Sequence, residues 1–353
     1  MSDDSQRIGT DGGMEELDAI IRQAERAEPT TSWWDRNLRM VDLYIMAPLR
    51  AAWSDWRARV GGLIILFYVL MGTVGVVLVP RAEMGETGPF QKPLESLWYP
   101  LGGDQMGQSI GRQIVHATPA MLQMALAGVV FAVGVAVIIG VVSGYRGGML
   151  DKVLMTLTDV VIALPGLPLI IVIAAIYAPR HPFIVGAILA IDSWPGLARA
   201  IRSQVLTLRE ESYVEVGRAM GISKFNIMRN DILPQIMPYV AINAAISAAG
   251  VISASAALYF LGVLPFTTLN WGVMMNLARS TGNAVADPFH AGHWLFFPTV
   301  ALGGLMFGLV LFSQGMDRVF NPRLRARHAK TVSGEGDMDA EEGGSRTVAA
   351  VQK

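Results

Sequence analysis

The 353-residue sequence predicts an all-α integral membrane protein with six transmembrane helices and both termini cytoplasmic. Three observations predict it. Hydrophobic residues make up 52% of the chain and charged residues 16%, roughly three to one where a soluble domain is nearer two to one. Six windows, near 61–80, 117–142, 153–177, 183–203, 235–263 and 294–315, each supply the run of about 20 mostly apolar residues that a helix needs to cross a bilayer. Lys and Arg are distributed unevenly over the segments between them. Eighteen fall on the side that holds Arg36 to Arg59, Arg146, Lys152, the stretch Arg199 to Arg229 and the end from Arg318 to Lys330, against five (Arg81, Lys92, Arg112, Arg180, Arg279) on the other. The basic side is expected to be cytoplasmic. Membrane β-strands would alternate over about ten residues, whereas these runs are continuously apolar, so helices remain as the way to satisfy the backbone in lipid.

Residues 1–60 read as a cytoplasmic amphipathic and interfacial extension. Eight acids and three arginines occupy 1–32, with Met14, Leu17, Ile20, Ile21 and Ala24 on one helical face. Trp33, Trp34, Trp53 and Trp56 alternate with arginines, as in a helix lying among lipid headgroups; a solvent-exposed linker is the plainer alternative. Sixty residues ahead of a first span exceed the roughly 15–30 of a cleavable signal. The second and fifth spans lie in uncharged stretches, Ala117 to Tyr145 and Ile232 to Ala278. The fourth is interrupted by Asp192, Pro195 and Arg199. Residues 61–325 form the membrane domain, and 326–353, with five acids between Glu335 and Glu342, read as a solvated tail.

Several chemistries are excluded or disfavoured. With no cysteine there are no disulfides, thiolate ligands or thiol nucleophiles. A net charge of −1 gives nucleic-acid binding no support. No Gly-Lys dipeptide occurs, so a phosphate-cradling nucleotide loop is missing. His290 and His293 lack a third ligand and read as part of a polar loop near Asp287, and Gly144 and Gly147 as turn residues ending a span. No cofactor, metal or catalytic residue is expected.

The segment 204–234 is long for a membrane connection. Tyr213, Val214, Val216, Ala219 and Met220 supply the apolar side of a short helix. Gly221 stops it through positive φ, Ser223 caps a second helix from Lys224 to Arg229, and Pro234 begins the fifth span. The result is a projecting knob with Glu215 on its flank.

Glu215, Gly221 six residues on, and Ile232-Leu233-Pro234 resemble the cytoplasmic coupling loop of binding-protein-dependent ABC transporter permeases. Leu101 to Gly107 (LGGDQMG), Ser193 to Arg199 (SWPGLAR), Tyr259 to Val263 (YFLGV), Trp271-Gly272 and Asn321 to Arg325 (NPRLR) are similar, in order, to the dipeptide, oligopeptide and nickel branch of that family. The resemblance covers about residues 61–325. It implies the fold of a type I ABC importer permease in a prokaryotic plasma membrane. It further implies a second homologous permease, two cytoplasmic ATPases that hydrolyse ATP and an extracytoplasmic solute-binding protein as partners, and a coupling role for Tyr213, Glu215, Gly217, Ala219, Gly221, Ser223 and Pro234. The chain departs from the family at Val216 and Gly217, where two alanines are usual, and at Gln108-Ser109 in place of Arg-Asp. An ion-gradient transporter and a non-transporting scaffold are the rival classes; the first would show matching broken halves.

Asp159 and Asp192 are acids inside predicted spans, where charge costs at least about 2.5–3.5 kcal/mol on insertion scales. Asp159 reads either as a lining residue of the translocation path or as half of an interhelical pair. Asp192, beside Ser193, Trp194 and Pro195, reads either as a path residue that attracts a cationic group or as a protonated or hydrogen-bonded aspartate locked against a neighbouring span.

Overall fold

The computed structural model describes residues 55–266 and 269–320, with side chains to 317. The acidic amino-terminal helix, Trp33, Trp34, Trp53 and the tail lie outside the described residues. Within them the chain is helical without a strand; one isolated bridge joins Gly103 and Ser109.

Helix α1 (Trp56–Leu78) starts where the Asp55 carboxylate accepts the Arg57 backbone N–H at 2.8 Å. Its outer residues, Leu63, Phe67 and Val77 among them, are exposed, as in a helix facing lipid. Helix α2 (Ile110–Arg146) has 37 residues, about 55 Å at 1.5 Å per residue, and packs against most of the other helices. Four helices, α1, α2, α8 (Lys224–Phe260) and α10 (Pro288–Phe320), are long and apolar enough to cross a membrane, and there are up to six such spans if each of two bent pairs is one.

Those pairs are α3 (Gly148–Ala163) with α4 (Gly166–Tyr177), bent by 86°, and α5 (Pro182–Leu189) with α6 (Trp194–Leu208), bent by 61°. Hydropathy places each pair in one apolar window, the second of them already interrupted at Asp192 and Pro195, and the prolines explain the bends. Pro165 lacks an N–H and drives Leu164 out of the helical region, to φ −74 and ψ 137. Pro195, in the first turn of α6, cannot continue a helix through Ala190–Ser193. A third proline has a milder effect. Pro234 stands in the first turn of the α-helix from Leu233, as its place in the sequence suggests, and a π-turn at Met228–Ile232 joins that helix to the turn from Lys224, so that α8 runs on through it.

Small residues let the helices approach closely, the usual means of association in lipid. Gly140 and Gly144 of α2 lie against Ala198, Ile201 and Val205 of α6; Gly304, Gly308 and Gly315 of α10 lie against Tyr68, Ile64 and Ala58 of α1. Gly144 is thus a packing residue inside α2, and the turn is made by Gly147 and Gly148, at φ +64 and +65.

The loop 79–109 folds over the amino-terminal end of α2. Buried Asp104 accepts the N–H groups of Met106 and Gln108 and the side-chain amide of Gln113. At Gly102, with φ +80, a side chain would strike the Gln91 carbonyl, and at Gly103 it would strike Thr87. His293 donates to the Gly103 carbonyl at 3.0 Å, and His290 stacks on Phe90 with centroids 4.4 Å apart. Both histidines belong to the first turns of α10 and hold this loop. Helix α9 (Trp271–Ser280) seats fully buried Trp271, whose indole donates to the Ile114 carbonyl of α2 at 3.2 Å.

Candidate functional site

At the carboxyl-terminal end of α2, α6 leads into α7 (Ser212–Ala219), which leads into α8 through a glycine corner. Gly221 has φ +77. Its N–H bonds the Arg218 carbonyl, while the Ile222 N–H bonds that of Gly217, which together close the helix end. The Ser223 hydroxyl accepts the Asn226 N–H at 3.3 Å and starts α8. Val214 and Ile227 are buried and tie the knob to the bundle. On its outside, Val216, Met220, Ile222 and Phe225 are exposed, Met220 by 74% and Phe225 by 65%. Such an apolar patch on a charged, projecting element marks an interaction surface.

The other residues singled out in this loop occupy definite places. The Tyr213 hydroxyl accepts from the Gln235 amide at 2.6 Å, tying α7 to α8 one residue beyond Pro234. Gly217 is buried, and a Cβ there would sit 3.7 Å or more from Ile222 and Ile227, so alanine fits. Ala219 is exposed. Glu215 borders a cleft of about 540 Å³ together with Arg146, Arg209, Glu210, Arg218, Lys224 and Tyr145. The Arg218 guanidinium lies 5.1 Å above the Tyr145 ring. Sequence reading missed this basic cleft, because residues from four elements meet there without a linear motif.

The two acids of the predicted third and fourth spans separate in kind. Asp159 of α3 pairs with Arg199 of α6, both side chains about half exposed. One turn further along α6 and two turns back along α3, Asp151 receives two bonds from Arg202, each 2.6 Å; no linear spacing links this pair in the sequence, although Arg199 and Arg202 stand three apart on α6. The two bent pairs are therefore cross-linked by two ion pairs. Asp192 sits in the turn between α5 and α6, exposed, against Gly166 at the start of α4, and makes no hydrogen bond or ion pair among the described residues. Trp194, by contrast, is buried in the core with 7% exposure, so its indole backs the Asp192 turn rather than lining an open surface.

Comparison with known proteins agrees with these features. Residues 136–326 match the family model described as "Binding-protein-dependent transport system inner membrane component", over half of the chain. The chain is 28% identical to the dipeptide transport system permease protein DppC of Bacillus subtilis, over 76% of this chain and 82% of the relative. It is 29% identical to the glutathione transport system permease protein GsiD of Pectobacterium atrosepticum, over 66% and 75%, and 30% identical to the oligopeptide transport system permease protein OppC of Lactococcus lactis subsp. cremoris, over 64% and 76%. The chain is a membrane transport subunit of an ABC importer and not an enzyme. It belongs to the family of binding-protein-dependent transport system inner membrane components.

Proposed function

We propose that this chain is one of two related permeases that enclose a path for peptides or related small solutes through a cell membrane. In this reading each bent pair is one span, giving six in all, and both termini and the knob face the cytoplasm. Two ATPases bind on that side and a solute-binding protein on the other. The names of the relatives support the solute class, and the Lys and Arg asymmetry supports the orientation.

The observation that carries the coupling role is the exposed apolar patch of Val216, Met220, Ile222 and Phe225 on a knob held rigidly by Val214, Ile227 and the Tyr213–Gln235 bond. An ATPase groove that receives this patch buries it, and movement of the groove is passed to α6 and α8, which are continuous with the knob. Asp192, unpaired at the break of a span, is assigned to the path wall, where a carboxylate attracts a peptide's amino group; Asp159 is assigned to holding α3 against α6.

Uptake of a defined mixture of di- to pentapeptides tests the reading. The transporter, purified through a tag on this chain, is placed in vesicles that hold ATP on the ATPase side, with its solute-binding protein supplied on the other side. Uptake that requires ATP and survives an ionophore is expected. Uptake abolished by the ionophore marks an ion-gradient transporter, and none at all marks a scaffold.

A further inference from the structure

We propose that a cavity at the amino-terminal end of α2 is a subsite for the carboxylate end of the solute; the proposal rests on the permease reading above. The cavity has a volume of about 620 Å³ and lies between the end of α1, the first turns of α2 and the turn from α4 to α5. It is at the opposite end of α2 from the knob, which under the proposed orientation is the side where solute enters.

Its wall has one sign of charge. Arg81, Arg180, His181 and Gln123 supply its main polar groups, while the His116 Nε2 is held on the Val79 carbonyl at 2.8 Å and the Gln113 amide on Asp104, and no acidic residue lines it. The adjoining loop carries four carboxylates, none of which lines the cavity: Asp104 is held by two backbone N–H groups and Gln113, Glu86 by the Ser109 N–H and Arg112, and Glu95 by the Lys92 N–H, while Glu83 is exposed. Arg81 is exposed and makes no ion pair or hydrogen bond among the described residues. His181 Nδ1 accepts the Phe183 N–H at 3.3 Å, so in the neutral ring Nε2 carries the proton and is a donor. Guanidinium and imidazole donors around an acid-free cavity are the chemistry that recognises a carboxylate.

Size and the rest of the lining narrow the ligand. A volume of 620 Å³ is far more than a small inorganic anion fills and lies in the ordinary range of ligand pockets. Pro119, Ala120 and Leu269 add apolar surface for a side chain attached to that carboxylate. A peptide's last residue has both parts.

The test uses the complete transporter in vesicles, with the same di- to pentapeptide mixture offered with free or amidated carboxyl ends, and compares wild type, Arg81→Gln and Arg81→Lys. Because Arg81 is exposed, either change leaves packing intact. Loss of one charge-assisted contact is expected to lower uptake of free-acid peptides about tenfold in Arg81→Gln, with ATPase stimulation by the loaded binding protein unchanged and uptake restored in Arg81→Lys. Unchanged uptake overturns the proposal. So does an equal loss for amidated peptides, and so does a parallel loss of ATPase stimulation, which would make the cavity a seat for the binding protein. If the wild-type transporter shows no ATP-driven peptide uptake, the permease reading itself fails and this subsite falls with it; wild-type uptake with an unaffected variant overturns the subsite alone.

Discussion

The carboxylate of Asp192 rests against Gly166, so the break in one bent span is seated in the break of the other. Gly166 begins α4, and the partial positive charge of a helix start favours an anion beside it. A Cβ at Gly166 would meet the Asp192 carboxylate, the free end of an exposed side chain. Gly166→Ala is therefore expected to turn that carboxylate away from the helix start and to cost little stability, within about 0.5 kcal/mol, as surface substitutions do. The melting midpoint in detergent, beside Gly196→Ala as an unhindered control, should stay close to wild type. A clearly lowered midpoint would mean that Asp192 is held in place against Gly166.

Asp192→Asn keeps the shape and removes the charge. With Asp192 on the path, transport of cationic peptides is expected to slow while assembly and ATPase activity persist. Equal rates for peptides of every charge would leave Asp192 only its place against Gly166.

The two ion pairs between the bent spans are expected to differ in weight. Asp159 and Arg199 are half exposed, and such pairs contribute about 0–1 kcal/mol. The Asp151 side chain is 15% exposed and takes both donors of Arg202, so Asp151→Asn is expected to cost more, about 1–3 kcal/mol. Thermal unfolding of both variants decides the order; a larger loss at Asp159 contradicts it.

In the knob, Gly217→Ala and Gly221→Val are expected to act in opposite directions. Space exists for a methyl at Gly217, and alanine gains about 0.5–1 kcal/mol of helix preference over glycine. At Gly221 the surroundings are open, but φ is +77, a value at which a β-branched residue is strained. Transport rates measured beside ATPase rates should be kept in the first variant and uncoupled in the second. A fully coupled Gly221→Val transporter would remove the coupling role from the corner.

Much of the fold was legible because an apolar run of bilayer length has few alternatives, and all six runs coincide with helical segments. The bend at Pro165 was not, because hydropathy averages over a single proline in an apolar window, whereas the break beside Pro195 fell where Asp192 and Pro195 already interrupt the apolar run. Pro234 was readable as a helix start and stands in the first turn from Leu233; only the structure shows the π-turn at Met228–Ile232 that joins this helix to the one before it. The glycine corner at Gly221 was readable from local chemistry alone. The burial of Trp194, the Gly166 seat of Asp192 and the Arg81 cavity each join residues distant in sequence, and no spacing rule brings them together. The close seams at Gly140, Gly144, Gly304 and Gly308 did carry a signal, the glycine pairs four residues apart that suit helix contact in lipid.

The central claim is that the knob seats in an ATPase. Because the chain has no cysteine, Phe225→Cys introduces one thiol at the exposed patch, to which a benzophenone maleimide can be attached. Irradiation of the transporter, purified through a tag on this chain, is expected to give an adduct with the mass of this chain plus one ATPase subunit. The same label at exposed Leu97, in the loop at the opposite end of α2, should give none. An ATPase adduct from Leu97→Cys, or none from Phe225→Cys, would contradict it.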